Sequence, residues 1–567
     1  MDNTNYWTGT SGSDWFDANN WSAGQVPSSA SSVVIRSSAA VQPQINSTGA
    51  SCSYLFLQND ARLTINAKTT LNNINIDAGA SLIVSAGHEL SVNGTFTNNA
   101  GNSGFVLQSN ATATATFVDN AITPNTIAAT VQQYLNTQRN WYMSVPVSAL
   151  TVPAAQDYSL FYYPENDPLQ ITNNGAYWLT PSTNLSPVTG YIIKPSVQKT
   201  ASVLEFTGTL NSGTISSATL TNSTVNNPAK HGYNLVGNPY PSYIDWNSTN
   251  NTNLSSTLWY RTQALDIHGN LVYKNDGITP IYTFFTYIGN PGIGVPASVT
   301  NMIPPMQAFW VKVNGTTGTL SFTNSGRSHK VDVNAFRAPA SGLSINKILR
   351  LRVTAGDIAD ETVLFFNANA SNALDTYDSP KMLNGSTSTI PDIYTTVGTE
   401  QLVINGMKDI PFDTELPLYF KANASTATSF TLSAPEITNF DTGTELYIKN
   451  NLSGEKKLIS DGSIYAFSPF TVAINPAFSV IFKAPGSITA VNNTNSKPII
   501  ISANERGQII INSPELIQNA LVTVYNTVGQ ELFSSNINGN TIEINQTFSP
   551  GIYVVKINNI VTKVSVK

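Results

Sequence analysis

Residues 55–71, LFLQNDARLTINAKTTL, decide the fold, because their pattern returns nineteen residues later in residues 74–90, INIDAGASLIVSAGHEL. Leu55, Leu57, Ala61, Leu63, Ile65, Ala67 and Leu71 become Ile74, Ile76, Ala80, Leu82, Val84, Ala86 and Leu90. Inside each unit apolar and polar residues alternate, the two-residue period of a strand with one buried face. A fixed offset between such units marks a β-solenoid, whose rungs cover one another's apolar faces. An open first rung would leave strand edges unpaired. Trp7, Trp15 and Trp21, set among Gly, Ser and Asn, read as an aromatic cap over that end, with a sugar-binding platform as the alternative. Strands at residues 33–35 and 105–118 extend the stack, so a capped β-solenoid is expected over residues 1–130. Cys52, the single cysteine, lies in an apolar stretch and reads as a small buried hydrophobe, which excludes an intrachain disulfide framework.

From about residue 134 the period is lost and aromatic residues become dense. A second repeat appears here. Trp141-Tyr142-Met143-Ser144-Val145-Pro146 matches Asn234-Leu235-Val236-Gly237-Asn238-Pro239 at an offset of 93. Gly190-Tyr191-Ile192-Ile193-Lys194 matches Ala308-Phe309-Trp310-Val311-Lys312 at 118, and Leu204-Glu205-Phe206-Thr207 matches Leu320-Ser321-Phe322-Thr323 at 116. The growing offset gives the second copy extra residues. The Gly/Pro-rich residues 289–305 are expected to be these, as a protruding loop and contact surface. The reading is a duplicated aromatic-rich β-module over residues 131–337, with copies at about 135–215 and 230–330. Ala338-Pro339-Ala340-Ser341-Gly342 reads as a linker. Eight short runs, at residues 348–353, 362–366, 401–404, 416–420, 429–432, 446–449, 463–466 and 478–482, predict an antiparallel β-sandwich over residues 343–484. A second linker follows at residues 485–498.

Residues 499–567 read as a small β-sandwich of seven strands, at residues 499–501, 509–511, 521–525, 531–533, 541–544, 552–557 and 560–566. Thr562, Val564 and Val566 share one face of the last run, and Lys563, Ser565 and Lys567 the other. Val522-Thr523-Val524-Tyr525-Asn526, Gly529-Gln530, Gly551-Ile552-Tyr553-Val554-Val555-Lys556-Ile557 and Lys563-Val564-Ser565-Val566-Lys567 resemble, in order and position, the type A C-terminal sorting domain of the type IX secretion system of Bacteroidota. The solenoid stretch and the second aromatic copy resemble, more weakly, modules recurrent in cargo of that system. The resemblance implies a cargo protein whose folded tail is recognised in the periplasm by the outer-membrane translocon and its FadL-like shuttle barrel, is removed near the linker, and leaves the protein extracellular or at the cell surface. Tyr525, Asn526, Gly529, Gly551, Tyr553, Lys556, Lys563 and Lys567 are the candidate recognition residues. No signal peptide follows Met1, since Asp2-Asn3-Thr4-Asn5 is neither basic nor apolar, so the numbering is read as starting at the mature N-terminus.

Composition agrees with a secreted all-β protein. A chain of 567 residues suggests several domains. Charged residues are 11% of it, against about 25% in typical soluble proteins, so Asn, Ser, Thr and Gly must build much of the surface. The net charge is -6 with no Lys/Arg-rich run, which argues against nucleic acid as a partner. No run of 18 apolar residues suits a transmembrane helix.

Catalytic motifs occur only as fragments. His88-Glu89 opens a zincin motif, but Val92 stands where the second zinc-binding histidine must be. There is no Gly-x-Ser-x-Gly turn, and Gly292-x-Gly294 is not completed into a nucleotide loop. Two carboxylate groups, Asp357/Asp360/Glu361 and Asp375/Asp378, read mainly as turn and surface structure, with calcium as the candidate ion and no other cofactor expected. Trp178, Trp246, Trp259 and Trp310 are candidates for stacking on sugar rings. The expectation is a non-enzymatic protein with an adhesive or glycan-binding role. A glycoside hydrolase with its carboxylates on separate strands, and a purely structural surface component, are the alternatives.

Overall fold

The computed structural model describes residues 4–135, 139–148, 158–182, 184–196, 202–274, 276–329, 346–460, 462–469, 475–485, 499–557 and 560–567. The linker at 338–342 and nearly all of the one at 485–498 lie outside them. The chain divides into two compact units, Met1–Gly486 and Ser487–Lys567.

The solenoid is real, and its rungs stack in parallel on three sheets. Tyr54–Gln58 pairs with Asn73–Ile76, Leu55 opposite Ile74, and Arg62–Ile65 pairs with Ser81–Val84, Leu63 opposite Leu82. The offset of nineteen is thus the literal register on two faces. On the third face Leu71 lies opposite Val92, not Leu90. The corner between Val84 and Leu90 is two residues longer than that between Ile65 and Thr69. A slip of two keeps the strand's parity, so Leu90 and Val92 both still point inward.

Trp7, Trp15 and Trp21 close the first rung. Trp21 meets Trp7 and Trp15 edge-on at centroid distances of 4.9 and 4.8 Å, and its indole N–H donates to the Trp15 carbonyl at 2.7 Å. All three are buried in the solenoid core, which leaves no platform for a sugar. Cys52 is buried there too, and burial pushes its thiol up to about 12.

The solenoid does not stop at residue 130. Ala128–Leu135 pairs in parallel with Phe105–Leu107 and antiparallel with Ser202–Leu210, so a strand of the first aromatic copy continues the solenoid sheet. The two copies share a sheet order. Trp141–Met143, Tyr191–Pro195 and Tyr158–Tyr162 form one sheet, and Tyr233–Gly237, Ala308–Lys312 and Thr257–Gln263 the corresponding strands of the other. Their registers agree: Met143 faces Tyr191 as Val236 faces Phe309, and Trp141 faces Ile193 as Asn234 faces Val311.

The copies also meet as images of each other. The Ser144 N–H donates to the Met306 carbonyl at 2.7 Å, and the Gly237 N–H donates to the Val188 carbonyl at 2.8 Å. Offsets of 93 and 118 convert each bond into the other, the signature of an isologous contact. Val188 and Met306 have φ of 64° and 57°, a left-handed conformation that a β-branched valine adopts only under constraint.

Residues 289–305 are not the protruding loop expected. Ile293–Val295 pairs with Tyr282–Ile288, extending the second copy's sheet to five strands, and Met302–Ile303 pairs with Tyr243–Asp245. Ile288, Ile293 and Val295 pack against Val363, Phe365, Val403 and Ile404, because apolar side chains at this spacing had a sandwich face to cover. The segment is a joint.

All eight expected sandwich strands are present, together with Ser379–Pro380, Asp392–Val397 and Lys456–Leu458. Ile358–Phe366 pairs in parallel with Glu400–Met407, so the sandwich is not wholly antiparallel. Its pairing path runs continuously through ten strands, with Ser379–Pro380 off the path beside Glu400–Met407, and the two ends contribute to one core, Leu432 and Tyr465 from one and Ile448 and Val480 from the other.

The C-terminal unit has five continuous strands, Ile500–Ala503, Gln508–Tyr525, Glu531–Thr547, Gly551–Ile557 and Ile560–Val566. The seven apolar runs lie on these five. Two pairs of runs are halves of single long strands, which shift register between Asn512 and Ile517 and again before Ala520. Bulges of this kind bend a strand without ending it.

Candidate functional site

A cavity of about 410 Å³ opens where three segments of Met1–Gly486 converge. The solenoid supplies Glu89, Thr112, Thr114 and Thr116; the first aromatic copy supplies Arg139, Trp141 and Tyr142; the second supplies Tyr243, Arg261 and Gln307. The duplicated strands explain the placement. Trp141–Met143 lies beside residues 304–307 through the Met143/Gln307 bridge, and the Gln307 amide donates to the Tyr142 carbonyl at 3.0 Å.

The two aromatic copies each bring one arginine to this cavity. The Arg139 guanidinium lies 3.8 Å from the Trp141 ring centroid and that of Arg261 4.4 Å from Phe284. Burial lowers the pKa of both arginines. Burial also pushes the Tyr142 phenol up to about 12, against the nearby Arg261, so it remains a neutral hydroxyl. Neither arginine has a carboxylate partner among the described residues, and Arg139 Nε and Arg261 Nη1 are buried without an acceptor. Glu89, the one carboxylate of the lining, lies 3.3 Å from the exposed Lys68, and its buried Oε2 likewise meets no hydrogen-bond donor among the described residues.

The candidate tryptophans lie elsewhere. Trp246 and Trp259 are core residues, and Trp310 is buried in an edge-on trio with Tyr163 and the half-buried Trp178. Trp246 donates to the Ser256 carbonyl and Trp259 to the Pro380 carbonyl, so these rings fasten strands and offer no open face.

The carboxylates are likewise occupied. Lys381 reaches both oxygens of Asp360 at 2.6 Å with both side chains buried, and burial raises the Asp360 pKa to about 6. Glu361 is gripped by Arg350 and Arg352. Asp357 is exposed, 3.8 Å from His268. Asp375 accepts the N–H groups of Ser371 and Tyr377, and Asp378 those of Asp375 and Gly406. Among the described residues no group of three His, Cys, Asp or Glu side chains converges as a metal site. Asp360 and Glu361 do line a second cavity, of about 290 Å³, between the second aromatic copy and the sandwich.

In the C-terminal unit, Asn526 Oδ1 accepts the N–H groups of Val528 and Gln530, and Gly529 has φ of 83°, which a side chain would oppose. Tyr525 ends the strand before this turn, and Gly551 starts the strand Gly551–Ile557. Tyr553 is buried, donates to the Ser549 carbonyl at 2.8 Å and packs on Phe548. Lys556, Lys563 and Lys567 are exposed. Ile560–Val566 pairs with Gly551–Ile557, and Val564 and Val566 point into the core as its alternation predicts.

The solenoid, the paired aromatic module, the sandwich and a separate C-terminal β-unit define a modular all-β protein. The chain belongs to the family described as "Domain of unknown function (DUF8693)", whose model matches residues 6–482. The model of the "Secretion system C-terminal sorting domain" matches residues 505–567. The protein is therefore type IX secretion cargo with a type A C-terminal domain, exported to the cell surface or the extracellular space. No curated protein matches the chain. Among the described residues no helix is long and apolar enough to cross a membrane.

The cavity residues were absent from the sequence candidates because they come from three distant segments. Arg139-Asn140-Trp141-Tyr142 and Trp259-Tyr260-Arg261, arginines beside aromatic strands in a charge-poor chain, were the available signal.

Proposed function

We propose that the exported protein is a non-enzymatic glycan-binding protein, adhesive in role, and that it holds its ligand in the cavity between solenoid and aromatic copies. The cavity's chemistry carries the reading: aromatic side chains, Trp141, Tyr142 and Tyr243, stand beside hydroxyl and amide groups, Thr112, Thr114 and Gln307, the mixture that a sugar's apolar faces and hydroxyl edges require. With Glu89 alone among the lining carboxylates, and paired to Lys68, the cavity lacks the carboxylate pair of a glycosidase. Asp360 and Glu361 favour the hydrolase alternative by lining the second cavity, but their ion pairs with Lys381, Arg350 and Arg352 occupy the oxygens that catalysis would use.

The tail is handled on the periplasmic side by the translocon and its shuttle barrel, with Ile560–Val566 offered as an edge strand and Lys563 and Lys567 setting register and charge. A glycan array probed with the full chain tests the binding reading. Binding to at least one glycan, weakened by Trp141→Ala, is expected; a silent array, or hydrolysis abolished by Asp360→Asn, would overturn it.

A further inference from the structure

We propose that the cavity selects sugars bearing an anionic group, a carboxylate or a sulfate ester, held between Arg139 and Arg261. The inference rests on the glycan-binding reading and adds the class of ligand.

An arginine withdrawn from water normally finds an acceptor for each of its buried N–H groups, because an unpaired buried donor or charge is costly. Arg327 and Arg350 illustrate the rule here. Every guanidinium nitrogen of Arg327 has an acceptor in Ser242, Asn324 or Phe117, and Arg350 pairs with Glu361 and Glu436. Arg139 and Arg261 depart from it together, in one cavity, each with a buried N–H group that meets no acceptor among the described residues. Their rings, Trp141 beneath Arg139 and Phe284 beneath Arg261, fix the guanidinium planes without neutralising them. Planar forks held this way match the two oxygens of a carboxylate or sulfate. Glu89 lies 3.3 Å from Lys68 and makes no ion pair with either arginine among the described residues, although its buried Oε2 meets no hydrogen-bond donor there. The side-chain oxygens of Gln133 and Gln307, whose amide nitrogens bond backbone carbonyls, remain as acceptors for the ring hydroxyls.

The test is calorimetry on the full chain with two matched pairs of probes: oligogalacturonate against its methyl ester, and a sulfated galactan oligosaccharide against its desulfated form. The acidic member of at least one pair should bind at least about 10-fold tighter than its neutral partner, from the strength of charge-assisted hydrogen bonds. Which pair discriminates tells carboxylate from sulfate. Arg261→Gln and Arg139→Gln should each weaken the acid by about 10- to 100-fold. Arg261→Lys, which keeps charge but not the fork, should fall between and guards against a merely misfolded variant. Equal binding of acidic and neutral members, or acid affinity unmoved in both Gln variants, overturns this inference and leaves the glycan reading standing. If none of the four binds and the array is silent, both fall.

Discussion

Arg327 fastens the end of the second aromatic copy to the solenoid, and replacing it by methionine is the most demanding test of how the N-terminal unit is assembled. Its Nη2 donates to the Phe117 carbonyl at 2.8 Å, Nη1 to Asn324 Oδ1 at 3.1 Å and Nε to Ser242 Oγ at 3.1 Å, while the plane lies over Tyr240. Hydrogen bonds to a charged group are worth about 1.5–3 kcal/mol each, and methionine removes all three. Against this stands the cost of burying the cation, which lowers its pKa from 12.5 to about 10. That displacement corresponds to about 3 kcal/mol. Methionine keeps much of the packing volume, so the expected loss is about 2–4 kcal/mol, with the Phe117 carbonyl deprived of its guanidinium donor. Urea denaturation followed by tryptophan fluorescence reads it as a lower midpoint for the Met1–Gly486 unit. Arg327→Lys should recover part of the loss. A midpoint unchanged by Arg327→Met would refute the claim that this guanidinium joins solenoid to module.

His329 sits between Ser91 Oγ at 2.8 Å and Thr116 Oγ1 at 2.7 Å, and burial lowers its pKa to about 4. Because the folded value lies below the unfolded one, about 6.5, its contribution is present above pH 6.5 and is lost as pH falls to 4. Wild type should therefore lose about 2–3 kcal/mol more than His329→Asn over that window in urea titrations. Tyr553→Phe removes only the hydroxyl's bond to the Ser549 carbonyl; it should cost the C-terminal unit about 1 kcal/mol by thermal melting and leave export intact. Deleting the last ten residues removes the strand Ile560–Val566 and should leave the protein in the periplasm by fractionation. Lys563→Glu with Lys567→Glu, at exposed positions, should reduce export while the circular dichroism of the unit stays unchanged.

The parts of the fold legible in the sequence are those in which one local rule repeats. Leu55/Ile74 and Leu63/Leu82 are hydrogen-bonded neighbours at the offset the sequence displays, and the 93- and 118-residue offsets reappear as matched registers. What was not legible depends on partners distant in the chain. Residues 289–305 resemble a loop by composition, and only the sandwich face at Val363 and Phe365 turns Ile293 and Val295 into buried residues. The polar stretch after Asn512 looks like a turn, yet bulges carry the strand through it. Trp246 and Trp259 have the residue type of a sugar platform, but their indole N–H groups are spent on Ser256 and Pro380. Arg139 and Arg261 lie 122 positions apart in the sequence, and no local pattern announces that they share a cavity.

The central claim is that this cavity holds the ligand. A crystal structure of the full chain soaked with the acidic oligosaccharide that calorimetry ranks first tests it most directly. The expected result is a sugar lying beside Trp141 with its anionic group between Arg139 and Arg261. A ligand bound elsewhere, with the cavity filled by solvent, would contradict it.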